Sequence, residues 1–169
     1  MRHKLASGLL IASVIVWGIW CGGQVFNELM AVPVWSAAPP ESLKVYAELP
    51  SKGGAPFFPL FNPLFVVLAI GAALAARKSA RRSRKWLALS ALIAVAVFVS
   101  LIYLAPLVGS MFRHSVAGDL PASEIVAGVE RWKLGNRIRL IVELFGFTCS
   151  VIALRVWSGE AAPPDEGAA

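Results

Sequence analysis

The sequence predicts an all-α integral membrane protein, a bundle of four helices with both termini in the cytoplasm. Three observations carry that expectation. The chain of 169 residues is 57% hydrophobic and only 15% charged, too apolar for an ordinary soluble domain. Its apolar residues come in four long blocks, each near the ~20 residues that cross a bilayer as a helix. Its positive charge is gathered between two of those blocks: residues 77–85 hold Arg77, Lys78, Arg81, Arg82, Arg84 and Lys85. Short basic loops stay in the cytoplasm. An even number of crossings then brings both ends to that side, in agreement with Arg2 and Lys4. One transmembrane domain over residues 1–157 follows, with helices near 5–30, 57–76, 86–112 and 121–157. A disordered tail is expected over 158–169. The cell (inner) membrane is the expected location.

The first helix begins at Leu5. Trp20, Cys21, Gly22 and Gly23 offer no small-x-small cleavage site, so the segment reads as a retained helix rather than a signal peptide. Gly18 and Gly22 stand four apart and would let a neighbouring helix approach closely. The helix then turns polar at Gln24, Asn27 and Glu28, and Pro33 with Pro39 and Pro40 is expected to end it. An outside loop rich in Pro and Gly follows from Ala37 to Pro56, with a short helical stretch in Glu41 to Leu49. Pro56, Pro59 and Pro63 crowd the start of the second helix, with Asn62 among them, where Pro is tolerated near the first turn or when neighbours relieve it. Trp86 opens the third helix as an interfacial anchor, and Tyr103 and Pro106 come near its outer end.

The fourth helix passes from polar to apolar without a Pro, as ERWKLGNRIRLIVELFGFTCSVIAL over Glu130 to Leu154. At about 100° per residue, Trp132, Asn136, Arg139 and Glu143 fall within an arc of roughly 60°. Trp17, Cys21, Gln24 and Glu28 on the first helix repeat the same 4-3-4 spacing. Such spacing is first that of a bundle seam, but intramembrane charge is costly and marks functional sites. Because the two helices run oppositely, both polar stripes fall in the outer half of the membrane. Gln24, Glu28, Asn62, Tyr103, Trp132 and Asn136 are therefore the candidate substrate-binding residues, with Arg139 and Glu143 the candidate catalytic pair. Glu143 would remove a proton and Arg139 would hold the resulting anion. The same two residues also have the spacing of a neutralising ion pair, and both readings stand at this point.

Several function classes fall away. The basic run is topology and contact with anionic lipid heads rather than nucleic-acid binding, for which no reader module is present. There is no CxxC, HExxH, phosphate-binding Gly loop or Gly-x-Ser-x-Gly. The two His residues lie at opposite faces, so no metal site is expected. Cys21 and Cys149 differ in depth by roughly 10 Å, too far for a disulfide. Four helices without an inverted repeat leave little room for alternating access; a homo-oligomer stays open.

The four-helix arrangement, the Gly-rich first helix running to Phe26 and Pro33, and Trp132-x-x-x-Asn136-Arg137-x-Arg139 at the start of the last helix resemble the anthrone-oxygenase-like family of small membrane proteins. The resemblance implies oxidation of a lipophilic anthrone-like aromatic by molecular oxygen, without metal or bound flavin. It carries over Trp132, Asn136 and Arg139 as pocket residues. The alternative is a non-enzymatic membrane protein, an assembly partner or small-molecule binder, whose polar face locks helices together. The orientation is tested by fusing a topology reporter after Ala169: cytoplasmic activity is expected, and activity on the far side of the membrane would reverse it.

Overall fold

A computed structural model describes residues 2–49, 57–77 and 82–161. The chain forms α1 (Arg2–Phe26), a π-helical segment (Asn27–Ala31), α2 (Val32–Trp35), α3 (Glu41–Glu48), α4 (Phe57–Ala76), α5 (Arg84–Ala117) and α6 (Ala122–Ala161). No strand occurs among the described residues. Four spans are long and apolar enough to cross a membrane: Lys4–Trp35, Phe57–Ala76, Arg84–Ala117 and Ala122–Gly159. The protein is thus an integral membrane four-helix bundle. The first span runs on through Pro33, which sits in α2 directly after the π-helical segment. Pro63 and Pro106 likewise lie inside α4 and α5 without ending them. The last helix continues past Trp157 to Ala161, and residues 162–169 lie outside the described part, as do Lys78 and Arg81 of the basic loop.

Around the bundle, α1 packs on α4, α4 on α5, α5 on α6, and α6 on α1. Large apolar side chains such as Ile11, Ile15 and Ile19 on α1, Val67 and Leu74 on α4, and Ile138, Ile141 and Phe145 on α6 point outward. In water that surface would be untenable, whereas in lipid it is the contact face. Inside, three apolar layers stack along the bundle. The layer nearest the basic loop is small, with Ala6, Leu10, Ala72, Ala76 and Ala153 beside Trp157. Trp157 is buried there, and its indole N–H donates to Ser7 Oγ at 2.9 Å. The middle layer holds Trp17, Trp20, Phe65, Ile93 and Val97. The third layer holds Val32, Trp35, Leu43, Leu104, Met111, Val129 and Trp132, with no member from α4.

That asymmetry follows from helix length. At ~1.5 Å per residue, the 20 residues of α4 just cross the hydrocarbon, whereas α5 and α6 have 34 and 40 residues. Beyond the start of α4 the fourth corner is taken by the short amphipathic α3, whose Leu43 is fully buried. The hairpin between α5 and α6 closes that end of the bundle. Gly118 adopts a left-handed φ of 69° there and its N–H caps α5 on the His114 carbonyl at 2.8 Å, a role that suits Gly. His114 also bonds Asp119 at 2.8 Å, and that hydrogen bond holds the exposed carboxyl below its ordinary range.

The two polar-aromatic stripes read from the sequence meet as an antiparallel seam of α1 against α6. Ser7 faces Trp157, Trp17 faces Gly146, Gly18 faces Phe147 and Gln24 faces Arg139. At Gly146 three helices converge, since a Cβ there would stand 2.5 Å from Ile93 and 2.7 Å from the Trp17 ring. Gly22, by contrast, faces open space. Gly146→Ala is therefore expected to cost about 1–3 kcal/mol through overpacking, despite the better helix propensity of Ala. Gly22→Ala should be neutral or mildly stabilising. Melting of the two purified variants against the parent checks the contrast, and equal melting temperatures would contradict the packing described.

Candidate functional site

Between the middle and third layers lies a cavity of about 310 Å³. This is at the small end of the ~300–1,000 Å³ typical of small-molecule sites. Its position follows from the fold: α4 begins at this level, and α2 and α3 pass over the space its absence leaves. Trp20, Gln24 and Asn27 line it from the first span, Trp35 and Tyr46 from α2 and α3, and Phe58 and Asn62 from α4. From α5 come Leu101, Leu104, Ala105, Val108 and Phe112, and from α6 Trp132, Asn136 and Arg139.

The aromatic groups brace one another. Trp20 stacks on Phe65 with centroids 5.5 Å apart and meets Phe58 edge-on at 5.6 Å. On the opposite side Trp35 packs edge-on to Trp132 at 5.1 Å and against Phe112 at 5.6 Å. Edge-to-face and stacked pairs of this kind add to burial and hold the rings in fixed planes. The result is a rigid slot whose faces suit a flat, apolar molecule.

Across the slot's floor runs a polar layer joining α1 and α6. Arg139 Nη2 donates to Gln24 Oε1 and to Asn136 Oδ1, both at 2.7 Å. The Asn136 amide nitrogen donates to Glu28 Oε2 at 2.8 Å, and Arg137 Nε donates to Glu28 Oε1 at 2.7 Å. Glu28 reaches α6 from the π-helical segment, where wider turns set Asn27 on the cavity wall and Glu28 on its neighbour. Such π segments recur at functional positions. Other atoms of this layer have no hydrogen-bond partner among the described residues although they are buried: Arg139 Nε and Nη1, Asn62 Oδ1, and both carboxylate oxygens of Glu143. Unsatisfied buried polar groups are costly and in native proteins concentrate where binding or chemistry occurs.

Five of the eight residues singled out from the sequence line this cavity: Gln24, Asn62, Trp132, Asn136 and Arg139. Glu28 stands behind Asn136. Glu143 is fully buried a turn deeper on α6 and off the wall. It makes neither an ion pair nor a hydrogen bond with Arg139, whose guanidinium is turned across the seam instead. Tyr103 is 64% exposed and away from the cavity. The wall positions of α5 are 101, 104, 105 and 108, one face of a helix, and residue 103 falls on the other. Sequence reading did not single out Trp35 and Tyr46, which lie in or beside the stretch taken as an outside loop. The burial-prone pair Leu43 and Tyr46, three apart, was the available signal. It also passed over Asn27, which follows Gln24 at helical spacing. Among the described residues no group of three or more His, Cys, Asp or Glu is placed to hold a metal, and Cys21 and Cys149 are both free and buried.

A multi-pass helical membrane protein with an aromatic slot over a buried guanidinium and amides is thus the class that fold and site define. Residues 53–149 match the anthrone oxygenase family, and the chain belongs to it. No curated protein and no solved structure gives a match. The matched segment includes Asn62, Trp132, Asn136, Arg139 and Glu143 but leaves out α1 with Gln24 and the π-helical segment with Glu28.

Glu28→Ala would strand the buried Asn136 amide and is expected to cost about 1–3 kcal/mol. Arg137→Ala removes a guanidinium that is 60% exposed and should cost no more than about 1 kcal/mol. Melting of both variants checks this, and equal losses would mean that the Asn136 bond contributes nothing.

Proposed function

We propose that this protein is a cofactor-independent oxygenase of the cell membrane that acts on a lipophilic, anthrone-like aromatic. The observation that carries the reading is the aromatic slot with the Arg139 guanidinium in its floor, in a chain of the anthrone oxygenase family. The flat walls suit a fused-ring substrate, with Trp132 stacking on it. Loss of a proton from the ring CH2 gives an enolate, whose oxygen carries the charge that Arg139 stabilises. Glu143 is the proposed base; its carboxylate is a turn below the guanidinium, so the proton has that distance to travel. The electron-rich carbon then takes up O2, and the hydroperoxide formed there loses water. One oxygen atom enters the ring as the second carbonyl and the other leaves as water with the two hydrogens of the CH2. No external reductant is needed. In this reading both termini are cytoplasmic, the basic loop rests on anionic lipid heads, and the slot opens in the outer half of the membrane.

A second reading has its own support. Arg139, Asn136, Gln24 and Glu28 tie α1 to α6, as they would in a non-enzymatic protein that uses the polar layer only to lock its helices. Replacing Arg139 by Met together with Glu143 by Leu separates the two. A structural layer tolerates apolar replacements of similar volume, and a catalytic one leaves a folded, inactive protein. The direct test is oxygen uptake and quinone formation by membranes supplied with an anthrone. Uptake above the spontaneous rate is expected from the parent, with a fall of about 10²-fold or more in Arg139→Ala. Parent and equally abundant variant both matching empty membranes would remove the oxygenase reading.

A further inference from the structure

Among the described residues the cavity wall carries a single formal charge, that of Arg139, and no Asp or Glu lines it. The two carboxylates nearest by sequence register lie within electrostatic reach of the guanidinium but neither bonds it. Glu28 is committed to Asn136 and Arg137, and Glu143 lies off the wall without bonding the guanidinium. What else the wall offers is neutral: amides, the Tyr46 hydroxyl and indole N–H groups. In the described structure Arg139 Nη2 is held by the amide oxygens of Gln24 and Asn136, and Gln24 is itself a wall residue. A ligand oxyanion that replaces the Gln24 oxygen exchanges an ion–dipole contact for an ion–ion contact. Away from water such a contact is worth far more than at a protein surface. A ligand cation would instead be buried beside a like charge.

We propose that this cavity is selective for aromatic anions, aryl carboxylates and phenolates, over neutral rings of the same shape, and that Arg139 is the residue that reads the charge. This rests on the slot being a ligand site, the reading given above, but not on turnover. Lipophilic aromatic acids would then occupy the site as stable ligands and compete with any neutral substrate that becomes an anion only during reaction. The charge excludes the opposite class, aromatic amines.

The test is calorimetric titration of the purified protein in detergent, with matched empty micelles subtracted. Three probes of one shape are used: 2-naphthoate, 2-naphthamide and 2-naphthylmethylammonium. The carboxylate is expected to bind about tenfold tighter than the amide, the equivalent of one added charge-assisted contact, and the ammonium weakest. In Arg139→Met, checked for folding by its helical signal and melting, the carboxylate should lose that advantage over the amide. Arg139→Lys, which keeps the charge, should retain the order. Equal affinities for carboxylate and amide in the parent, or a preference that survives in Arg139→Met, would overturn the proposal. Should Arg139→Met not fold, the order of the three probes on the parent decides, and any order other than anion, neutral, cation counts against it. Membranes that take up no oxygen while this order holds would remove the oxygenase reading alone. Uptake without the order would remove the anion preference alone.

Discussion

One buried guanidinium sets the terms for the rest of this molecule. Arg139 is only 6% exposed in a bundle whose outer face is aliphatic and aromatic, and a cation in such surroundings must be met by polar partners. One partner lies across the seam, Gln24 on α1, and the other one turn back on its own helix, Asn136, whose amide is in turn oriented by Glu28. The polar layer therefore cannot form unless α1 and α6 are antiparallel and in this register. The seam below it helps to define that register with shape alone, through Trp17 entering the notch at Gly146 and Gly18 against Phe147. Packing thus aligns the helices and the polar layer makes alternative alignments expensive. A slip by one turn would take Arg139 away from Gln24 and Asn136 away from Glu28.

The cavity is a second consequence of unequal lengths. Four helices of one length would have closed their core with a fourth apolar wall at every level. Here α4 starts where the polar layer sits, and the covering is left to α2 and α3, which bring Trp35 and Tyr46 rather than aliphatic side chains. Rings supported by other rings resist collapse better than flexible aliphatic chains would, since each is held on more than one side. Rigidity of the slot and its polar floor come from different parts of the chain. Aromatic side chains from nearly every element supply the first, and the α1–α6 seam supplies the second.

What could be read from the sequence divides along the same physical line. The four spans and the two polar stripes are local properties, given by block length and by ~100° per residue, and the structure keeps both. The choice of partner for Arg139 is not local. Glu143 stands at the right spacing for an ion pair, but its competitor Gln24 is 115 residues away in sequence, and helical geometry on one segment cannot weigh a partner on another. Tyr103 illustrates the converse error. It was assigned by depth near Pro106, whereas membership of the wall depends on the face of α5, which the period 101, 104, 105, 108 defines and which residue 103 misses. The α3 cover was legible only as a short helix in a loop, because nothing in its own eight residues says that α4 begins beneath it.

The division of labour between matched and unmatched parts of the chain bears on how far family membership reaches. The match begins at residue 53, so it contains the guanidinium, Asn136, Trp132 and Asn62 but not the helix that faces them. Yet α1 and its π-helical extension supply Trp20, Gln24 and Asn27 to the wall and Glu28 to the layer behind it. The cationic group and Asn136 thus lie within the matched segment, while Gln24, which holds the guanidinium from across the seam, lies outside it. A guanidinium held by amide oxygens can release one of them to a ligand, whereas one paired to a carboxylate cannot do so without stranding a charge. It is the partner rather than the arginine that makes the floor of this slot receptive to an incoming oxyanion, and that partner is contributed by α1.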